Sequence, residues 1–291
     1  YIGVISDECI SGTALVHLGY ACNAFSFVFD RKENTLIEKG YVLPPFAGMV
    51  FDRNADNGSC IMHNKNDHIE MLHRCAEGKR LLNIDVAKGS KKQIIAEFEI
   101  EENLNSKPLQ LLTPMENGKN VFTQKIAGLK TSGTIYTQNK KFTFNKENSF
   151  AIFDWTNGFH NRITEWNWAS AGGISLCGKR IGLNFSRGVY TSGYGENVLW
   201  IDGEPELQNE IIFEYNSQEP LKPWRISNAS KTIDLLFTPE NKRQSKEDFG
   251  IVASSFIQPC GSFSGFITTL AGKKIELKNI GGVVEEHFAK W

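Results

Sequence analysis

Between Phe153 and Gly173 the chain reads FDWTNGFHNRITEWNWASAGG. Asp154, His160, Arg162 and Glu165 stand there among Trp155, Trp166 and Trp168. As a strand, RITEWNW would set Arg162, Thr164, Trp166 and Trp168 on one face and Ile163, Glu165 and Asn167 on the other. An arginine beside two indoles can stack on them while its fork grips a carboxylate. Asp154 is the expected partner. Such a face could hold the anionic or hydroxyl group of a ligand over an aromatic floor, or it could be an ion pair and aromatic plug with no ligand. Glu165 becomes a candidate proton donor if it points into an apolar lumen, because burial raises a carboxyl pKa. On an outer face it would be solvated.

The C-terminal VEEHFAKW offers a second candidate. Glu285 and His287 share a strand face, and a Glu–His pair can shuttle protons; a structural hydrogen bond is the alternative. GENVLWIDG places Glu196 and Asn197 ahead of Trp200, with Asp202–Gly203 reading as a hairpin turn. Asp85 is expected at the matching place in the first half. Glu196 and Asn197 are candidate ligand contacts. Carboxylates near tryptophans also suit sugars, whose cleavage needs two carboxyl groups at a set separation. His63, His68 and His73 lie within HNKNDHIEMLH, but neither they nor the Glu285–His287 pair supply a full ligand set, so no metal is expected. No G-x-S-x-G, P-loop or dinucleotide fingerprint is present; the glycines of GYGENV lack the strand–turn–helix setting that phosphates need. No cofactor is indicated.

These residues must be positioned mainly by strands. ALVHLGYACNAFSFVFD, QIIAEFEIEE, KRIGLNFS, EIIFEYN, TIDLLFTP and GIVASSFIQP are rich in β-branched and aromatic residues, often alternating, with Gly, Asn, Asp and Pro between them. Asn66–Gly78 could form a short helix or a strand pair. An internal repeat is also visible. LLTPMENGKNVFTQKIAGLKTSGTIY from Leu111 answers the segment from Leu235 to Ile267. The segment from Ile84 answers that from Ile201, and SGTALVHLG from Ser11 answers CGKRIGLNFS from Cys177. The run ending at Gly158 matches the C-terminus, pairing Trp155 with Trp291, and WNWASAGG opens the second half as YIGVI opens the first. The expected architecture is all-β: two antiparallel barrels or strongly curved sheets, over residues 1–152 and 153–291, since closure removes exposed strand edges.

Composition narrows the function. The chain has 291 residues and a net charge of −1, without the basic field that draws nucleic acid. No apolar run approaches the roughly 20 residues of a membrane-spanning helix. The six cysteines are scattered without a C-x-x-C pair, and buried thiols are expected rather than a disulfide framework. The chain opens at Tyr1 in the middle of a strand signal, so residues upstream are expected to be absent. That leaves secretion open beside a cytoplasmic location.

FDWTNGFHNRITEWNWAS, IGLNFSRG, GENVLWIDG, LLFTPE, GSFSGFI and GGVVEEHFAKW together resemble the domain-of-unknown-function 2804 family over nearly the whole chain, most strongly from Phe153 onward. The tandem β architecture is also similar to two-domain lipocalin-like proteins of the carotenoid hydratase, tocopherol cyclase and pericyclic cyclase type. The resemblance implies a fold, and no catalytic residue carries over from it. The expected function is binding of a hydrophobic or amphipathic small molecule in a lumen or at the junction of the domains. Cofactor-independent acid–base chemistry (cyclase, isomerase or hydratase) would accompany it. Asp154 and Glu165, with Glu285 and His287, are the expected proton-transfer groups, and Arg162, Trp166, Trp168, Glu196 and Asn197 the ligand contacts. A carbohydrate-binding or glycoside-cleaving protein, or a structural component without activity, are the alternatives.

Overall fold

The computed structural model describes residues 1–45, 48–190, 195–248 and 250–291. Its strands form two antiparallel sheets. The first contains β1 (Ile2–Ile5), β2 (Cys9–His17), β3 (Cys22–Asp30), β4 (Thr35–Leu43), β5 (Met49–Phe51), β6 (Asn57–Asn64), β7 (Asp67–Arg74), β8 (Lys79–Val86), β9 (Ile94–Glu101), β10 (Leu109–Pro114), β11 (Asn120–Tyr136), β12 (Lys141–Phe144) and β13 (Phe150–Gly158). The second contains β14 (Ile163–Ile174), β15 (Arg180–Arg187), β16 (Val198–Ile201), β17 (Glu204–Leu207), β18 (Ile211–Glu214), β19 (Trp224–Asn228), β20 (Ile233–Asp248), β21 (Ala253–Thr268) and β22 (Lys274–Lys290). Both sheets curl as half-barrels, so the chain is a tandem pair of barrel-like β domains. No helix of the described residues is long and apolar enough to cross a membrane.

Strand order shows the repeat. The first sheet runs β4-β3-β2-β1-β13-β11-β9-β8-β7-β6-β5, with β10 and β12 also on β11; the second runs β17-β16-β15-β14-β22-β21-β20-β19-β18. In each, the opening strand (β1, β14) pairs with the closing one (β13, β22), and the next three follow as a meander. The matches of Ser11 with Cys177 and of the Gly158 run with the C-terminus agree with this order. The match of Ile84 with Ile201 does not: it sets β8–β9 against β16–β18, whereas their places in the sheet correspond to β19 and β20. Alternating apolar residues around a turn recur in any β meander, and that similarity misplaced the segment. Asp85 is therefore not the counterpart of Asp202.

Local chemistry explains the elements. In β15 and β20, the alternate residues Ile181, Leu183 and Phe185 and then Ile233, Leu235 and Phe237 point to one face of the sheet, which makes the core with Trp224, Phe263 and Val284. Asn66–Gly78 is mostly strand: Ile69, Met71 and His73 alternate into the interior along β7, and one 3₁₀ turn, Cys75–Glu77, follows. Asp202 and Gly203 both take positive φ, 53° and 93°, as a two-residue hairpin between β16 and β17 requires. Asp202 also accepts from Lys179 and the Arg180 N–H.

The chain forms two compact units, Tyr1–Ser106 with Leu129–Phe153, and Lys107–Gly128 with Asp154–Trp291. β11 and β13 each contribute residues to both. Every member of the candidate site below belongs to the second unit.

Candidate functional site

Lys125 lies in the buried half of β11 and is only 7% exposed. Its ammonium sits 2.8 Å from Asp154 Oδ2 at the outer half of β13, and 2.8 Å from Glu196 Oε2 just ahead of β16. The contact with Glu196 is an ion pair between two buried side chains. Burial alone would push the lysine pKa down; the two carboxylates outweigh it and raise the pKa, so the ammonium persists. Glu196 Oε1 accepts from the Tyr190 hydroxyl at 2.7 Å. Burial and then the Glu196 charge push the Tyr190 pKa far up, so the phenol stays protonated. His160 is held below the usual imidazole range, chiefly by burial, and its Nδ1 is buried without a hydrogen-bond partner among the described residues.

The backbone around this group is pinned. The Asn184 side chain donates to the Glu196 carbonyl at 2.6 Å and accepts from Trp168 Nε1 at 2.8 Å. Asn197 accepts from the Ser186 N–H through its side chain and from Gln208 N–H through its carbonyl. Lys125 Nζ lies 5.9 Å from the Trp168 ring, and Thr123 and Thr156 join β11 to β13 at 2.9 Å. With both carboxyls ionised the cluster would carry one net negative charge, which suits it to accept a proton.

A second polar group lies on the same face of the second sheet, because Trp168 registers with Glu285 and Trp166 with His287. Trp166 Nε1 donates to Glu285 Oε1 at 2.9 Å and its ring stacks on His287 at 4.0 Å. Gln258 donates to Glu285 Oε2 at 2.7 Å and accepts from Arg243. Burial raises the Glu285 pKa, but the hydrogen bond with His287, the Arg243 charge and the Trp166 hydrogen bond outweigh it and hold the carboxyl below its usual range.

The family model described as Domain of unknown function (DUF2804) matches residues 1–291. The chain belongs to the DUF2804 family. Among solved structures, kievitone hydratase from Nectria haematococca resembles this DUF2804 chain with a TM-score of 0.62 at 10% identity, covering 98% of this chain and 87% of that one. CghA is similar at 0.52, and CghA with Sch210972 at 0.51, both at 10% identity with the same coverage. At such identity the likeness is one of fold, the two-domain lipocalin-like architecture. No curated protein sequence matches the chain.

Several sequence expectations for this DUF2804 chain change. Arg162 does not hold Asp154: it is exposed ahead of β14 and donates to the Ile251 carbonyl, while Lys125 takes its place at the carboxylate. It also lies outside the strand that carries Trp166 and Trp168. Glu165 is exposed, so the lumen that was to raise its pKa does not enclose it. The tight meander brings Asp154, Glu196 and Trp168 around Lys125, and Trp166, Glu285 and His287 into the second group. Asn197 lies beside Glu196 with its side chain and carbonyl engaged by backbone N–H groups.

Lys125 and Tyr190 were not anticipated. A lone lysine within VFTQKIAG, where apolar residues occupy both faces, was the available signal. His63 and His68 meet at 3.1 Å across the β6–β7 hairpin. Asp56, Cys75 and Glu102 converge in the first unit, but Arg80 lies among them and donates to Glu102 at 2.9 Å, so a guanidinium already supplies the cation there. Gly193 and Tyr194 of GYGENV fall outside the described residues.

Proposed function

We propose that the Lys125–Asp154–Glu196–Tyr190 cluster is an acid–base centre that moves a proton on an amphipathic small molecule, as hydratases, isomerases and cyclases do. The observation that carries this reading is a buried lysine shared by two carboxylates, one of them bonded to a half-buried, protonated tyrosine. Nothing in ordinary folding calls for such a group, since a buried ion cluster rarely stabilises more than well-packed apolar side chains would. Glu196 is the proton acceptor, Tyr190 the relay, and Lys125 holds both carboxyls and favours an anion on the ligand. Asp154, with a side chain 22% exposed, is the side from which a ligand approaches. Trp168 supplies the apolar floor. The apolar face of the second sheet is packed with its own side chains, so the ligand is assigned to the opposite face rather than to a lumen.

Glycoside cleavage is disfavoured because the ammonium fills the gap between the two carboxylates where a sugar would sit. A structural component without activity is the second reading, and the packed core and exposed Glu165 favour it. The test is solvent exchange. Wild-type protein incubated in D2O with the small-molecule extract of its source should place deuterium into an amphipathic compound. Glu196→Gln and Tyr190→Phe should each slow this by about 10²-fold or more. Unchanged incorporation in both variants, or none in the wild type, would refute the reading.

A further inference from the structure

The second polar group contains a hydroxyl–imidazole–carboxyl arrangement separate from the Lys125 cluster. Ser254 on β21 has its hydroxyl 3.0 Å from His287 Nε2, and His287 Nδ1 lies 3.3 Å from Glu285 Oε1. Glu285 itself is fixed by Trp166 Nε1 and Gln258, and Trp166 stacks on the imidazole. A hydroxyl, a base and a group that orients the base stand in sequence, the relation by which a triad is recognised whatever its fold or chain order. An ionised Glu285 selects the tautomer with the proton on Nδ1, which leaves the Nε2 lone pair facing the Ser254 hydroxyl. Ser254 is partly exposed, so an electrophile can reach it.

We infer that Ser254 is an activated nucleophile for acyl esters, with His287 as its base and Glu285 as the positioning residue. Ser254 Oγ attacks the ester carbonyl carbon as its proton passes to His287 Nε2. The carbon–alkoxide bond then breaks, and His287 returns the proton to the departing alcohol. Water, deprotonated by His287, releases the acid and restores the serine. Ser254 lies in a strand flanked on both sides, by Glu247 of β20 and Ala289 of β22, so its own peptide group is committed to the ladder. Activation therefore comes from the base more than from oxyanion donors, and reactive esters and phosphonyl fluorides are the expected substrates rather than amides.

The probe is a biotinylated fluorophosphonate, which bonds to a serine oxygen as fluoride leaves and His287 takes the proton. Whole folded protein should gain one adduct, mapped by peptide mass spectrometry to Ser254. Ser254→Ala should abolish it, and His287→Gln should slow labelling by about 10²-fold. Glu285→Gln, which keeps an oxygen for Trp166, should slow it by about tenfold and provides a second reading if His287→Gln unfolds. Thermal melts establish the fold of each variant. No adduct on the wild type, an adduct at another residue, or wild-type labelling of folded His287→Gln or Glu285→Gln would overturn the inference. The result does not depend on the Lys125 cluster, so either proposal can fail alone.

Discussion

A buried ammonium is tolerated only where paired charges and hydrogen bonds replace its water. Lys125 meets that condition through Asp154 and Glu196. Replacing it by Met would remove the cation that the two carboxyls share, at a cost of about 3–5 kcal/mol. Urea unfolding should show that loss, and adding Glu196→Gln should recover part of it. His73 poses the opposite problem. It is 1% exposed, and neither ring nitrogen has a hydrogen-bond partner among the described residues. Burial first, and then the Arg80 charge, pulls its pKa from 6.5 down to about 3. The unfolded chain binds this proton more readily than the folded one, so stability is complete above about pH 6.5 and falls as the pH drops toward 3. His73→Phe should flatten this acid decline, read from denaturant unfolding at pH 7, 5 and 4. An unaltered decline would mean that other groups cause it.

At the scale of elements, β15 and the end of the buried half of β11 approach so closely that side chains are excluded. A Cβ on Gly182 would lie 2.1 Å from the Ala127 carbonyl oxygen, and Gly128 (φ 74°) already faces the Gly182 backbone. Gly182→Ala should therefore cost at least about 2 kcal/mol. At Gly173 on β14 the nearest atoms to an added Cβ belong to the Ile280 side chain rather than to backbone, so Gly173→Ala should cost less than Gly182→Ala. Melting temperatures of the two variants decide between backbone and side-chain crowding. The strands themselves were legible because β15, β20 and β7 carry apolar residues at alternate positions and turns such as Asp202–Gly203 announce themselves. Their partners were less so. Lys125 lies 29 residues from Asp154 and 71 from Glu196, and no local pattern records which strands meet. Arg162 is close to Asp154 in sequence, but the fold sends it to the Ile251 carbonyl instead.

At the scale of the molecule, the repeated strand order was readable through its opening and closing strands, while the Ile84 segment was misplaced because its apolar rhythm is common to all meanders. The second unit is also discontinuous, with the 25 residues Leu129–Phe153 of the first unit between Lys107–Gly128 and the rest. A fragment of Asp154–Trp291 alone would lack Lys125 and the Lys107 carbonyl that accepts from Trp200 Nε1 at 2.8 Å. Its thermal melt should be non-cooperative; a sharp transition would show that the hairpin is dispensable. The central claim, that the Lys125 cluster serves a small amphipathic molecule, is tested most directly by native mass spectrometry of the protein purified from its source. The wild type should carry a noncovalent small-molecule adduct that is lost from folded Tyr190→Phe. A wild type without an adduct, or an adduct retained equally by the variant, would contradict it.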